Sequence, residues 1–396
     1  MKITGIRFMQ LEGVMEHEGE LWEERLIRPI DVYPEYRAQG ADHTPKIAEG
    51  KYRIQSVFVE LMTDEGVSGI AGPISHDQAF LIEHHLKPIL MGEDPRAHEQ
   101  IWDKLYRHAV HGRKGIVMMA ISALDCALWD LRGKWLGVPV YRLLGGPTRD
   151  TIPAYASALG YSLESEKVRE RACRIVEEGY GATKWFFRYG PMDGPEGMAK
   201  NVELVRTLRE SVGEDVDLML DCWMSWDVPY TIAMAERIAE YRPRWIEEPV
   251  LPDKIESCAA IREAIGIPVA TGEHEYTRWG FRALIEARAA DVLQPDLYWA
   301  GGLSEVAKIC ALASTYDLPV IPHGHSVPAT VHLIASQPAN VCPLLEYLIK
   351  WNQVHQFFFK DPIQPKGGVV ALPKCPGMGM ELDEGKIESQ RELRWS

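Results

Sequence analysis

Long apolar runs are missing from this 396-residue chain: no stretch of about 18 consecutive apolar residues occurs, so no membrane-spanning helix is expected. Paired cysteines are missing too. The seven cysteines (126, 173, 222, 258, 310, 342 and 375) are odd in number, scattered and never spaced CxxC, which excludes a disulfide framework and a zinc ribbon. That usage points to a reducing compartment. The opening MKITGIRFMQLEGVMEHEGE has no apolar core of signal-peptide length, so the cytoplasm is expected. Basic residues are few, 43 Lys and Arg against 57 Asp and Glu, and the net charge of −14 argues against nucleic-acid or anionic-membrane partners. Neither a P-loop nor a Rossmann glycine fingerprint is present.

What is present is the composition of a globular protein, with 46% hydrophobic and 25% charged residues. The length accommodates a barrel of ~250 residues plus a second domain of ~100–150. Residues 1–140 begin with a strand-like ITGIRFMQL, pass through a long polar stretch at about 15–52, and return to a strand in RIQSVFVELMTDEG. A polar insertion of that length reads as a lid, with His43 and Arg53 as candidate substrate contacts. From about 78 to 134 the pattern is helical, and Ile121, Leu124, Leu128 and Leu131 mark one apolar face. LLGGPTRD at 143–150 carries a Gly-Gly-Pro turn and marks a boundary.

Beyond it, over 141–360, eight short apolar segments alternate with seven helical stretches: TIPAYAS, ATKWFF, VDLMLD, RWIEE, PVATGE, ADVLQPD, LPVIPHG and PLLEYL. Short apolar runs between helices are buried parallel strands, and eight of them spell a (β/α)₈ barrel or its seven-helix variant. The tail, 361–396, is punctuated by Pro and Gly and is expected to return to the N-terminal domain.

The chemistry sits where the strands stop. LMLDCW, WIEEP and ATGEHE end at Asp221, Glu247 and Glu273, at equal intervals of 26 residues. One acid at a strand end is ordinarily a helix cap or a surface group. Three in register at the ligand-binding end of a barrel repel one another unless a cation lies among them, and hard oxygen donors suit Mg²⁺. Strand six ends at Asp296 and strand seven at His323, an arrangement in which the carboxylate fixes the imidazole's tautomer and raises its basicity. His325 is the less favoured base. Glu346, in LLEYL, is expected to be buried with a raised pKa, able to donate a hydrogen bond to a developing oxyanion.

These residues resemble those of the enolase superfamily, mandelate-racemase-like group, across nearly the whole chain. The marks are the carboxylate spacing, WIEEP, TGE, the interval of 27 residues between Asp296 and His323, and the LLGGP connector. Gly190–Gly194 (GPxDG), DCWMS at 221–225, GEH at 272–274 and PHGxS at 322–326 resemble the sugar-acid dehydratases that act on L-rhamnonate. The resemblance implies an α+β capping domain, a (β/α)₇β barrel and one Mg²⁺ on Asp221, Glu247 and Glu273. It also implies a His323–Asp296 dyad, Glu346 beside the substrate carboxylate, and a homo-oligomer of two to eight copies. His43, in GADH, resembles a GANH segment of those dehydratases, whereas Arg53 has no secure counterpart. Where many relatives carry a second lysine as base, this chain reads Lys184-Trp185-Phe186, and Phe186 cannot take a proton. Lys184 is either a substrate contact or a barrel lysine.

One base on one face implies dehydration of a sugar acid to its 2-keto-3-deoxy product. His323 removes the C2 proton and the 3-hydroxyl leaves as water. The alternatives are a cycloisomerase or epimerase of the same superfamily, disfavoured by Phe186, and an inactive metal-binding scaffold.

Overall fold

The computed structural model describes every residue except Asp42 and Ser396. Its N-terminal part is an antiparallel sheet. Ile3–Glu16 pairs with Lys51–Thr63 in a register that sets Met9 opposite Phe58, and Ser68–Ile74 adds to the other edge. Period-two alternation buries Tyr52 and Ile54 and turns Arg53 and Gln55 outward. Helix Ile116–Leu136 covers this sheet. The spacing of its apolar residues predicts one buried face, yet it is buried almost all round, with Ala120, Cys126 and Asp125 as inaccessible as Leu124. The reason is a second neighbour, barrel helix Gly302–Ser314. Ser304 donates from both Oγ (2.6 Å) and N (2.9 Å) to Asp125, and Trp129 Nε1 donates to Ser304 Oγ at 2.8 Å.

All eight expected barrel strands are in place. They are Thr151–Ser157, Ala182–Phe186, Asp217–Asp221, Trp245–Glu247, Val269–Thr271, Val292–Leu293, a seventh reduced to a single bridge (Val320 to Leu293), and Leu345–Leu348. Pairing is parallel throughout, and the eighth strand returns beside the first, with Leu345 opposite Ala154. Seven helices connect them: Ser165–Glu177, Gly194–Val212, Val228–Ile238, Ile255–Ala264, Thr277–Glu286, Gly302–Ser314 and Val327–Ser336. The fold is a (β/α)₇β barrel with an α+β domain on it. Tyr155, Ala182, Met219, Trp245, Ala270, Val292 and Ile321 fill the interior as a separate cluster, so the barrel is a packed core open for chemistry only at its strand ends.

The tail does two things. Val369–Ala371 adds antiparallel to Thr151–Pro153 of the barrel, and Ser389–Glu392 makes the expected return, pairing with Met9–Glu12 of the N-terminal sheet. The lid stretch is strapped down by backbone bonds, Glu23 N to Gly160 O (2.9 Å) and Ile27 N to Phe187 O (2.8 Å).

Candidate active site

Phe186, Asp221 and Glu247 are register partners across strands two, three and four. Strand five places Ala270 opposite Glu247, and the chain then turns at Gly272 (φ +121°), where a Cβ would strike the Phe281 ring, to present Glu273. A cavity of about 370 Å³ opens above these ends. Asp221, Glu273 and His323 line it from the barrel, together with Trp223, Trp299, Trp351, His325 and His355, and the lid supplies Trp22, Arg25, Arg28 and His43. A larger groove of about 1030 Å³ lies at the other end of the barrel, under the tail and away from the acids.

His323 Nδ1 is 2.8 Å from Asp296 Oδ2. A carboxylate only accepts, so Nδ1 carries the hydrogen and Nε2 is directed to the reacting side, 3.5 Å from Glu273 Oε1. Asp296 is held in turn by Tyr298 N at 2.7 Å. Burial disfavours the imidazolium, but Glu273 and the bond to Asp296 outweigh it and push His323 up to about 10. Burial raises Glu273 to about 7 against the pull of His323 and His274, and burial with Glu247 beside it holds Asp221 well above the usual carboxylate range.

Glu247, the register partner of Asp221, has partners on both oxygens. Its Oε2 accepts from Trp245 Nε1 (2.9 Å) and Gln294 Nε2 (2.8 Å), and its Oε1 meets the ammonium of Lys184. Lys184 is fully buried and also approaches Glu346 Oε1 (2.8 Å) and Asp221 Oδ2 (3.5 Å). It is not among the cavity-lining residues. Glu346 accepts from Gly324 N at 2.9 Å, and although burial alone would raise its pKa, Lys184 and His323 bring it below the ordinary value. The expected neutral, hydrogen-bond-donating Glu346 is therefore corrected to a carboxylate.

Arg53 is not brought to the cavity. It stands half-exposed on the outer face of its strand, 4.0 Å from Glu12 Oε2. His43 is at the cavity, 5.1 Å from the rings of Trp22 and Trp351, while the Asp42 of its motif lies outside the described residues. The sequence reading missed Arg25, Arg28 and Trp22. Arginines in a polar loop look alike until folded, and only a lone Trp in LWEERLIR hinted at an inward side chain. Arg25 is buried and knits the lid: its guanidinium donates to Asp31 (2.6 and 3.2 Å) and to the carbonyls of Gln39 (2.7 Å) and Tyr36 (2.8 Å).

The comparisons with known proteins cover both parts of the chain. Residues 42–145 match the mandelate racemase / muconate lactonizing enzyme N-terminal domain, and residues 167–386 match the enolase C-terminal domain-like family. The chain belongs to the mandelate racemase / muconate lactonizing enzyme family. Among relatives of this family, it is 35% identical to the L-rhamnonate dehydratase of Saccharopolyspora erythraea, over 99% of both chains. It is 40% identical to a putative L-rhamnonate dehydratase of Caldivirga maquilingensis, over 90% of this chain and 87% of the relative. The rhamnonate dehydratase of Gibberella zeae, solved in complex with Mg, superposes with a TM-score of 0.84 at 32% identity, covering 97% of this chain and 95% of that one.

Proposed function

We propose that this member of the mandelate racemase family is a Mg²⁺-dependent hydro-lyase that dehydrates a sugar acid, L-rhamnonate or a related aldonate, to the 2-keto-3-deoxy acid. One observation carries the reading. Six buried acids (Asp221, Glu247, Glu248, Glu273, Asp296 and Glu346) converge, and among the described residues the cations paired with them are Lys184, His274 and His323. With all six ionised and both imidazoles charged, three negative charges would be left over; without a metal that repulsion and burial hold Asp221 and Glu273 toward their protonated forms, and a hard divalent ion fits the place of those protons. Asp221, Glu247 and Glu273 would hold it. When bound, the ion supplies the positive charge that draws in the substrate carboxylate and acidifies the adjacent C–H.

The rest falls to the chain's own residues. With the charge of Glu273 neutralised, the main influence raising His323 would be removed, and His323 Nε2 would be free to accept the C2 proton while Asp296 keeps hold of Nδ1–H and stabilises the imidazolium that forms. The same imidazolium then delivers its proton to the departing 3-hydroxyl, which leaves as water when elimination is syn, and the enol left behind becomes the keto acid. The aromatic walls from Trp22, Trp223, Trp299 and Trp351 exclude water, and His43, Arg25 and Arg28 face the distal end of the sugar chain. Phe186 offers no base on the opposite face, which favours elimination over epimerisation. No helix of the described residues is long and apolar enough to cross a membrane. The seven free cysteines suit the cytoplasm, and we expect a homo-oligomer of two to eight copies, measurable by light scattering.

The test is a sugar-acid library incubated with Mg²⁺ and assayed for 2-keto-3-deoxy products, with L-rhamnonate, L-mannonate and L-lyxonate included. Turnover of one or more supports the reading. No product and no C2 proton exchange with any acid would return the chain to a non-catalytic scaffold.

A further inference from the structure

Among the six acids of the site, Glu248 has no part in the mechanism. Glu248, the second acid of WIEEP, is 2% exposed and sits at φ +41°, in the left-handed region that a branched or long side chain enters only at a cost in strain. A strained backbone and a buried carboxylate at one position call for a structural reason.

Its bonds supply one. Glu248 N donates to Ala270 O of strand five (2.9 Å), and Glu248 O accepts from Met224 N, just beyond strand three (2.5 Å). The side chain then reaches the loop after strand five, where Oε1 accepts from His274 N (3.2 Å) and Oε2 from His274 Nδ1 (2.8 Å). One residue thus ties together the three strand ends that carry Asp221, Glu247 and Glu273. Its partner His274 directs Nε2 toward Glu273 Oε1 at 3.8 Å, between the rings of Trp223 (5.8 Å) and Trp299 (5.3 Å). The arrangement repeats that of Asp296 and His323: in both pairs a buried carboxylate holds Nδ1 at 2.8 Å and Nε2 faces the same oxygen of Glu273.

We propose that Glu248 and His274 are positioning residues of the metal centre, a clamp that holds Glu273 and the two neighbouring ligand loops in a geometry ready for a divalent ion. The proposal rests on the magnesium reading above. Neither residue is assigned a proton to transfer. Outer partners of this kind govern ligand orientation, and their loss typically weakens metal binding by roughly 10–100-fold.

The experiment measures divalent-ion affinity directly, with Mn²⁺ by electron paramagnetic resonance and Mg²⁺ by competition, on the full chain. Wild type binding no divalent ion would remove the metal reading itself. If wild type binds, His274→Leu, which leaves Glu248 without its ring partner, is expected to bind Mg²⁺ about 10–100-fold more weakly. His274→Asn places an amide N–H where Nδ1–H stood and is expected to restore most of that affinity. Glu248→Gln, which keeps size but weakens both acceptors, is expected to fall between them. The melting temperatures of the metal-free variants show whether the clamp acts on the site or on the fold. Wild-type affinity in His274→Leu overturns the proposal. So does an equal loss in the Leu and Asn variants, or nitrogen coupling in the Mn²⁺ spectrum that makes His274 a direct ligand.

Discussion

The ammonium of Lys184 lies 2.8 Å from Glu346 Oε1, across the seam where strand two, strand one and strand eight close the barrel. The contact is a buried ion pair. It settles the charge of both groups. Glu346, 0% exposed, would be neutral in an apolar pocket and is instead anionic, and Lys184 is committed to carboxylates of the protein before any substrate arrives. A substrate carboxylate brought beside Glu346 would meet a like charge. The electrostatic attraction that seats it has to come from elsewhere in the cavity.

The metal-free protein should lose stability steadily as pH rises. Glu273, raised to about 7, is held protonated by the fold, so its contribution favours the native state at low pH and turns against it between the unfolded value of ~4.3 and about 7. His274 and His323, raised to about 9 and about 10, stabilise fully below ~6.5 and lose that contribution as pH passes through those values. All three have the same sign. Urea midpoints of EDTA-treated protein at pH about 6, 8 and 9.5 check this, and saturating Mg²⁺ should stabilise most at the alkaline end, where its carboxylates carry no competing protons. EDTA should silence turnover and Mg²⁺ restore it. A flat or rising midpoint would contradict the charge balance derived for the site.

His323→Asn should lower kcat by about 10²–10⁴-fold, the range expected for loss of a general base, while Mg²⁺ affinity stays close to wild type. Steady-state kinetics and calorimetric titration of the ion separate the two. Full activity in this variant would remove the base assignment.

Substrate recovered from a partial reaction in deuterated water should carry deuterium at C2, if the proton returns before water leaves, and should show no epimer. The physical reason is Phe186, a buried hydrocarbon at the strand-two position where a second base would stand. Mass spectrometry with chiral chromatography reads both outcomes, and an epimer would mean that a base on the other face had been overlooked.

Arg25→Ala should loosen the lid selectively. The change takes from Asp31, 3% exposed, its closer guanidinium and leaves it Arg28 at 3.3 Å and the Arg28 N–H, so the cost should fall below the about 3–5 kcal/mol of a fully broken buried pair. Limited proteolysis should cut between about residues 17 and 50 before the barrel is touched, with KM rising more than kcat falls. Wild-type protection of that segment would show that the backbone straps suffice.

The barrel was legible in the sequence. A strand covered on both faces must be a short apolar run, and its exposed end must be where polarity resumes. Eight such runs, with Asp221, Glu247, Glu273, Asp296 and His323 at the breaks, therefore announced both the fold and the end of it that does chemistry. What those side chains do with their charges was not legible. Glu346 depends on Lys184, 162 residues away in the chain, Glu247 is turned toward Gln294, and Arg53, where the lid stretch meets its strand, faces outward because strand alternation there sets the side chain's direction. The Trp22–Trp351 wall and the Glu248–His274 clamp were hidden for the same reason. Periodicity and spacing are properties of the chain alone and decide which elements form and where they stop. Protonation, ion pairing and cavity shape depend on through-space distance and burial, and those exist only once the barrel has closed and the lid has been strapped across it.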